Sequence, residues 1–115
     1  MGRTPQEIFQ QHAAALVAGD LDGIMADYAD DSVYITPRGV FRGVDQIRQA
    51  YVDFLAALPD VRLDVPRQVF EGDILYLEWT AESPTVRVAD GVDTIVFSDD
   101  GIRVHTLRYT IDKIG

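Results

Sequence analysis

At 115 residues the chain is sized for a single domain, residues 1–115, and its 47% hydrophobic share supports a packed core rather than wholesale disorder. The absence of cysteine excludes disulfides, thiolate nucleophiles, thiolate metal sites and iron–sulfur clusters. A formal charge of −9, with only 10 Lys and Arg scattered along the chain, argues against nucleic acid and anionic membrane as partners.

No apolar run approaches the roughly 20 residues that span a bilayer. The opening MGRTPQEIF holds no apolar stretch of signal-peptide length, so the expectation is a cytoplasmic protein. Thr4-Pro5-Gln6-Glu7 reads as a helix start: a capping threonine, proline at the first helical position and a glutamate that completes a capping box. Ile8, Phe9, His12, Ala13 and Leu16 then share one helical face, and Gly19 ends the helix. Asp20 can cap a short second helix reaching about Tyr28, with Ile24, Met25 and Tyr28 as its apolar face.

Ser32 to Thr36 reads as a strand closed by Pro37-Arg38-Gly39. A third helix follows Gly43, with Ile47, Ala50, Tyr51, Phe54, Leu55 and Leu58 at helical spacing until Pro59. The remainder reads as strands. Val61, Leu63 and Val65 alternate up to Pro66, Glu71-Gly72-Asp73 is a turn, and Ile74 to Glu82 is a strand. Thr85 to Ser98 is a long strand, Asp99-Asp100-Gly101 a hairpin turn, and Ile102 to Ile111 the closing strand. Helices that cluster early and strands that cluster late predict an α+β domain. Three N-terminal helices pack on a strongly curved, mostly antiparallel sheet, a cone-shaped roll with an internal pocket.

Several segments together carry a resemblance. Ala18-Gly19-Asp20-Leu21-Asp22-Gly23-Ile24 followed by Tyr28-Ala29-Asp30-Asp31-Ser32-Val33 is similar to the second-helix signature of the nuclear transport factor two-like superfamily. Arg42-Gly43 before Ile47-Arg48, the run Leu77-Glu78-Trp79-Thr80-Ala81, and Val92-Asp93 leading to Asp100-Gly101 also fit. The branch it most resembles holds SnoaL-like polyketide cyclases and ketosteroid isomerases. That scaffold also carries hydrolases, dehydratases and non-catalytic binders, so the resemblance is specific for fold and weak for function.

Carried over position by position, the isomerase pattern is half kept. His12 falls where those enzymes hold an oxyanion-hole tyrosine, Asp93 on their second oxyanion-hole position, and Thr36 where they have the general-base aspartate. Tyr28 and Tyr51 match supporting tyrosines. A threonine needs an activating partner to act as a base near neutral pH, so the usual isomerase mechanism is not expected.

The resemblance implies that His12 and Asp93 lie close together. Two versions follow: His12 as acid/base with Asp93 orienting it, or Asp93 protonated and donating to a bound carbonyl. Thr36, Trp79 and Phe97 are expected in the pocket wall, and Arg108 is the basic residue best placed for an anionic ligand. His105, read on one strand face with Arg103 and Leu107, is expected at the surface or a dimer interface. The plain structural reading stands beside these: His12 as a satisfied core histidine, Tyr28 and Tyr51 as core aromatics. The acidic pairs Asp30-Asp31 and Asp99-Asp100 sit where Asp serves the backbone, and no ligand spacing suggests a metal. The expectation is a cofactor-free homodimer that takes a small apolar organic ligand. It is either an acid/base enzyme of isomerase or cyclase type, or a non-catalytic binding or dimerisation domain.

Overall fold

The computed structural model describes residues 2–98 and 101–115. Helix α1 spans Pro5–Ala18, and both halves of its capping box form. The Glu7 backbone N–H donates to Thr4 Oγ1 at 3.1 Å, and the Thr4 N–H donates to Glu7 Oε1 at 2.8 Å. Gly19, at φ 67°, ends the helix in the left-handed region. Asp20 then caps α2 (Leu21–Met25) by accepting from the Gly23 N–H at 3.1 Å. This helix stops short of Tyr28, which instead opens strand β1 (Tyr28–Thr36). The reason is local: the Asp27 carbonyl accepts from the Ile102 N–H at 2.7 Å, so the chain is captured into the sheet there.

A short strand absent from the sequence reading, β2 (Gly39–Arg42), folds back on β1 before α3 (Gly43–Ala57). Strands β3 (Arg62–Glu71), β4 (Ile74–Glu82), β5 (Val86–Ser98) and β6 (Gly101–Arg108) form the antiparallel meander. Strand β3 does not end at Pro66. It runs through, because β3 lies at the sheet edge and its register slips between Asp64 and Arg67, where a missing N–H is tolerated. Strand β6 ends at Arg108 rather than Ile111. There the Asp90 carboxylate takes the Thr110 N–H and hydroxyl, both at 2.8 Å, and turns the chain into β7 (Asp112–Lys113), which pairs with β5. Those two bonds from Thr110 hold the Asp90 carboxyl below its usual range. The expected turn at Asp99-Asp100 lies outside the described residues.

The sheet order is β2-β1-β6-β5-β4-β3, with β1 and β6 parallel and the other pairs along it antiparallel, and the sheet does not close on itself. The helices cover its concave face. Alternation in β4 sends Leu75, Leu77, Trp79 and Ala81 inward to meet Ile8, Ile24, Ile47 and Tyr51 from the helices. Among the described residues, no helix is long and apolar enough to cross a membrane.

Candidate functional site

Between α1, α3 and the concave face of β3–β6 lies a cavity of about 110 Å3. Its mouth is apolar and partly exposed, at Val17 and Val65. Phe9, Leu16, Phe54 and Ile95 continue the apolar wall inward. The floor is polar: His12, Tyr51, His105 and Asp93, with Trp79 and Tyr34 beside them. The capping box of α1 fixes the helix that carries His12, and α3 sets Tyr51 across from it.

The structure gives His12 a different carboxylate from the one expected. Its Nδ1 lies 3.3 Å from Oδ2 of Asp27, without the alignment of a hydrogen bond, and both side chains are only 3% exposed. The Arg3 guanidinium donates to the other oxygen of Asp27 at 3.1 Å. Asp27 escaped the sequence reading because it follows a helix expected to continue. Its one signal is an acidic residue flanked by Met25 and Tyr28, both core residues. Burial lowers the His12 pKa below its ordinary 6.5, and Asp27 opposes that shift.

Asp93 instead belongs to His105. His105 Nε2 lies 2.6 Å from Asp93 Oδ2, and the Trp79 indole N–H donates to Asp93 Oδ1 at 2.7 Å. Each Asp93 oxygen is therefore engaged within the protein. Gly91 makes this possible: it pairs with Trp79 across the sheet, and a Cβ there would sit 2.3 Å from the indole ring. His105 is 2% exposed, which corrects the expectation of a surface or interface position. The cause is a bulge. Val96 pairs with Val104 and Phe97 with Ile102, so Arg103 is an extra residue and the alternation of β6 changes phase across it. Ile102 and His105 both face inward, while Arg103 points out and donates to the Asp31 carbonyl at 3.0 Å.

Two tyrosines bridge the histidines. The Tyr51 hydroxyl lies 3.3 Å from His12 Nε2 and 2.6 Å from the Tyr28 hydroxyl, which in turn lies 2.8 Å from His105 Nδ1. Tyr34 stacks on Tyr51 with ring centroids 5.2 Å apart. Burial pushes the hydroxyls of Tyr28, Tyr34 and Tyr51 well above their usual value near 10, so all three keep their hydrogens.

Of the residues singled out from sequence, His12, Tyr51, Trp79 and Asp93 line the cavity. Tyr28 stands behind Tyr51 in the network. Phe97 is buried in the core outside the cavity wall. Thr36 lies instead in a separate recess of about 20 Å3, with Arg38, Asp53 and Tyr109. Arg108 points outward, its side chain 71% exposed and 3.5 Å from Asp90, so it does not serve the cavity. No group of three or more metal-ligating side chains is clustered among the described residues.

Comparison with known proteins agrees with this architecture. A proposed ketosteroid isomerase from Kribbella flavida is 18% identical, with 92% of this chain and 77% of that one covered and a TM-score of 0.74. A proposed SnoaL-like polyketide cyclase from Shewanella denitrificans is 13% identical, with coverage of 92% and 90% and a TM-score of 0.76. A de novo designed protein with a curved β-sheet reaches 0.77 at 15% identity, covering 92% of this chain and 84% of its own. That a designed chain fits as well as the natural ones shows that these likenesses report fold alone. No curated protein matches the chain. The SnoaL-like domain model matches residues 9–105, nearly the whole chain, and the protein belongs to the SnoaL-like domain family.

Proposed function

We propose that the cavity binds a small, largely apolar organic molecule and that His12 acts on it as acid/base, moving a proton next to a carbonyl without a cofactor, as in isomerases and cyclases. The observation that carries this reading is a buried imidazole, backed by a carboxylate at 3.3 Å, in the polar floor of an apolar cavity. Asp27 takes the orienting part expected of Asp93, holding the hydrogen of His12 on Nδ1 and leaving Nε2 basic. Asp93 orients His105 in the same way. Thr36 has no part in the chemistry, since it lies in another recess. The apolar wall selects ligands without charge, in keeping with the floor carboxylate of Asp93 and a net charge of −9.

The test is exchange of the α-hydrogens of small cyclic ketones into deuterated water. Wild-type protein accelerates exchange, and His12→Gln loses roughly 100- to 10,000-fold of that acceleration. Equal rates for the two proteins would end the catalytic reading. The second reading, a non-catalytic binding or dimerisation domain, is favoured by the small cavity: 110 Å3 is below the ~150 Å3 of an engineered cavity that takes benzene. We also propose that the chain pairs with a second copy through the uncovered face of the sheet.

A further inference from the structure

We propose that His105 is a second acid/base residue, wired to His12 through Tyr51 and Tyr28, and that the two imidazoles hold one proton between them. The number of hydrogens the network can hold leads to this. His105 Nε2 carries a hydrogen toward Asp93, and the Asp27 carboxylate 3.3 Å from His12 Nδ1, which can accept and not donate, favours the hydrogen on that nitrogen too. Besides a longer approach of the Tyr51 hydroxyl to His105 Nδ1 at 3.4 Å, a nitrogen that the Tyr28 hydroxyl meets more closely, three contacts remain between the rings: His12 to Tyr51, Tyr51 to Tyr28, and Tyr28 to His105. When both imidazoles are neutral, only the two tyrosine hydroxyls can fill them. One contact is left with lone pair facing lone pair. The longest of the three, 3.3 Å at His12 Nε2, is the one that fits that description.

One added proton completes the chain. Placed on His12, it sets every hydrogen pointing from His12 toward His105. If each hydrogen then moves one link (His12 to Tyr51, Tyr51 to Tyr28, Tyr28 to His105), His12 is neutral and His105 is the cation. Each end has its own counter-charge, Asp27 for His12 and Asp93 for His105. A second added proton would make both His12 Nε2 and His105 Nδ1 donors and leave one tyrosine hydrogen without an acceptor in the chain. The other groups facing this chain do not alter the count: Tyr34 stays protonated, and Arg3 carries a fixed charge on the far oxygen of Asp27.

Both imidazoles line the same cavity. A proton taken from a ligand by His12 can therefore be held on His105, between Tyr28 and Asp93, and go back to His12 along the same chain. This rests on the acid/base reading and deepens it by giving His12 a proton store, but the shared proton itself is a property of the empty protein and stands or falls separately.

The test is a titration of both ring systems by NMR in 15N-histidine-labelled, ligand-free protein, assigned with His12→Gln and His105→Gln. In the wild type both rings should respond over the same pH interval, with their protonated fractions summing to one before acid unfolding. Tyr51→Phe should uncouple them, so that each follows its own curve and the sum reaches two. A wild-type sum of two in the folded state would overturn the proposal, as would a response confined to one ring, or Tyr51→Phe curves identical to wild type. If Tyr51→Phe does not fold, the wild-type sum decides by itself.

Discussion

Asp27 determines what His12 can do. Without it, Nδ1 and Nε2 would compete for the single hydrogen of a neutral imidazole; a carboxylate 3.3 Å from Nδ1 favours the tautomer with the hydrogen on the side away from Tyr51, as the proposed acid/base role requires. Burial keeps the ring neutral at a pH where an exposed histidine already charges. This has a consequence for stability. The folded pKa lies below the unfolded value of about 6.5, so below that pH the unfolded chain binds more protons than the folded one. Stability should therefore be flat in this respect above about pH 6.5 and fall below it, by up to ~1.4 kcal/mol per pH unit for this one group. Urea unfolding between about pH 7.5 and 5.5 measures the slope, and His12→Gln should flatten it. A wild-type stability that rose on acidification would contradict the account.

At the scale of elements, the site depends on two irregular features of strands. The bulge at Arg103 turns His105 inward, and Gly91 leaves room for the Trp79 ring that holds Asp93. Gly91→Ala places a methyl against the indole, so we expect a loss of ~1–3 kcal/mol, typical of overpacking, together with a shifted Trp79 emission as its bond to Asp93 is lost. Chemical denaturation followed by Trp79, the only tryptophan, reads both effects; unchanged stability and emission would show that the contact yields freely. The same irregularities mark where sequence was legible. The capping box of α1, the limits of β4 and the inward face carrying His12 follow from local chemistry and regular periods, and all were readable. Strict alternation cannot see an extra residue in a strand, so Arg103 threw His105 to the wrong face. Asp27 and the run of β3 through Pro66 were hidden for a related reason: each depends on which strand lies alongside, which is a property of the assembled sheet. The His12–Asp93 pairing came from family resemblance, and the chain has divided those two positions between separate partners.

At the scale of the molecule, the helices cover one face of the sheet and leave the other open. On the open face the register aligns Ile74, Val96, Val104 and Val33 in one row, and Tyr76, Thr94, Thr106 and Ile35 in the next. These β-branched and aromatic rows are the surface through which we expect a homodimer to form. Sedimentation should give twice the 12.8 kDa chain mass, and Tyr76→Glu should return a folded monomer. A wild-type monomer at tens of micromolar protein would remove the dimer from the account. Covering that face would leave the cavity mouth free, because Val17 and Val65 open on the helical side.

The central claim is that the cavity is a working pocket with a polar floor. Its most direct test is an NMR titration of the protein with small phenols and cyclic ketones, followed at the Trp79 indole and the rings of His12 and His105. The account predicts saturable shifts at all three, abolished when Ala13→Leu fills the cavity from α1. Shifts that fail to saturate, or that survive Ala13→Leu unchanged, would contradict it and leave a structural domain with a filled core.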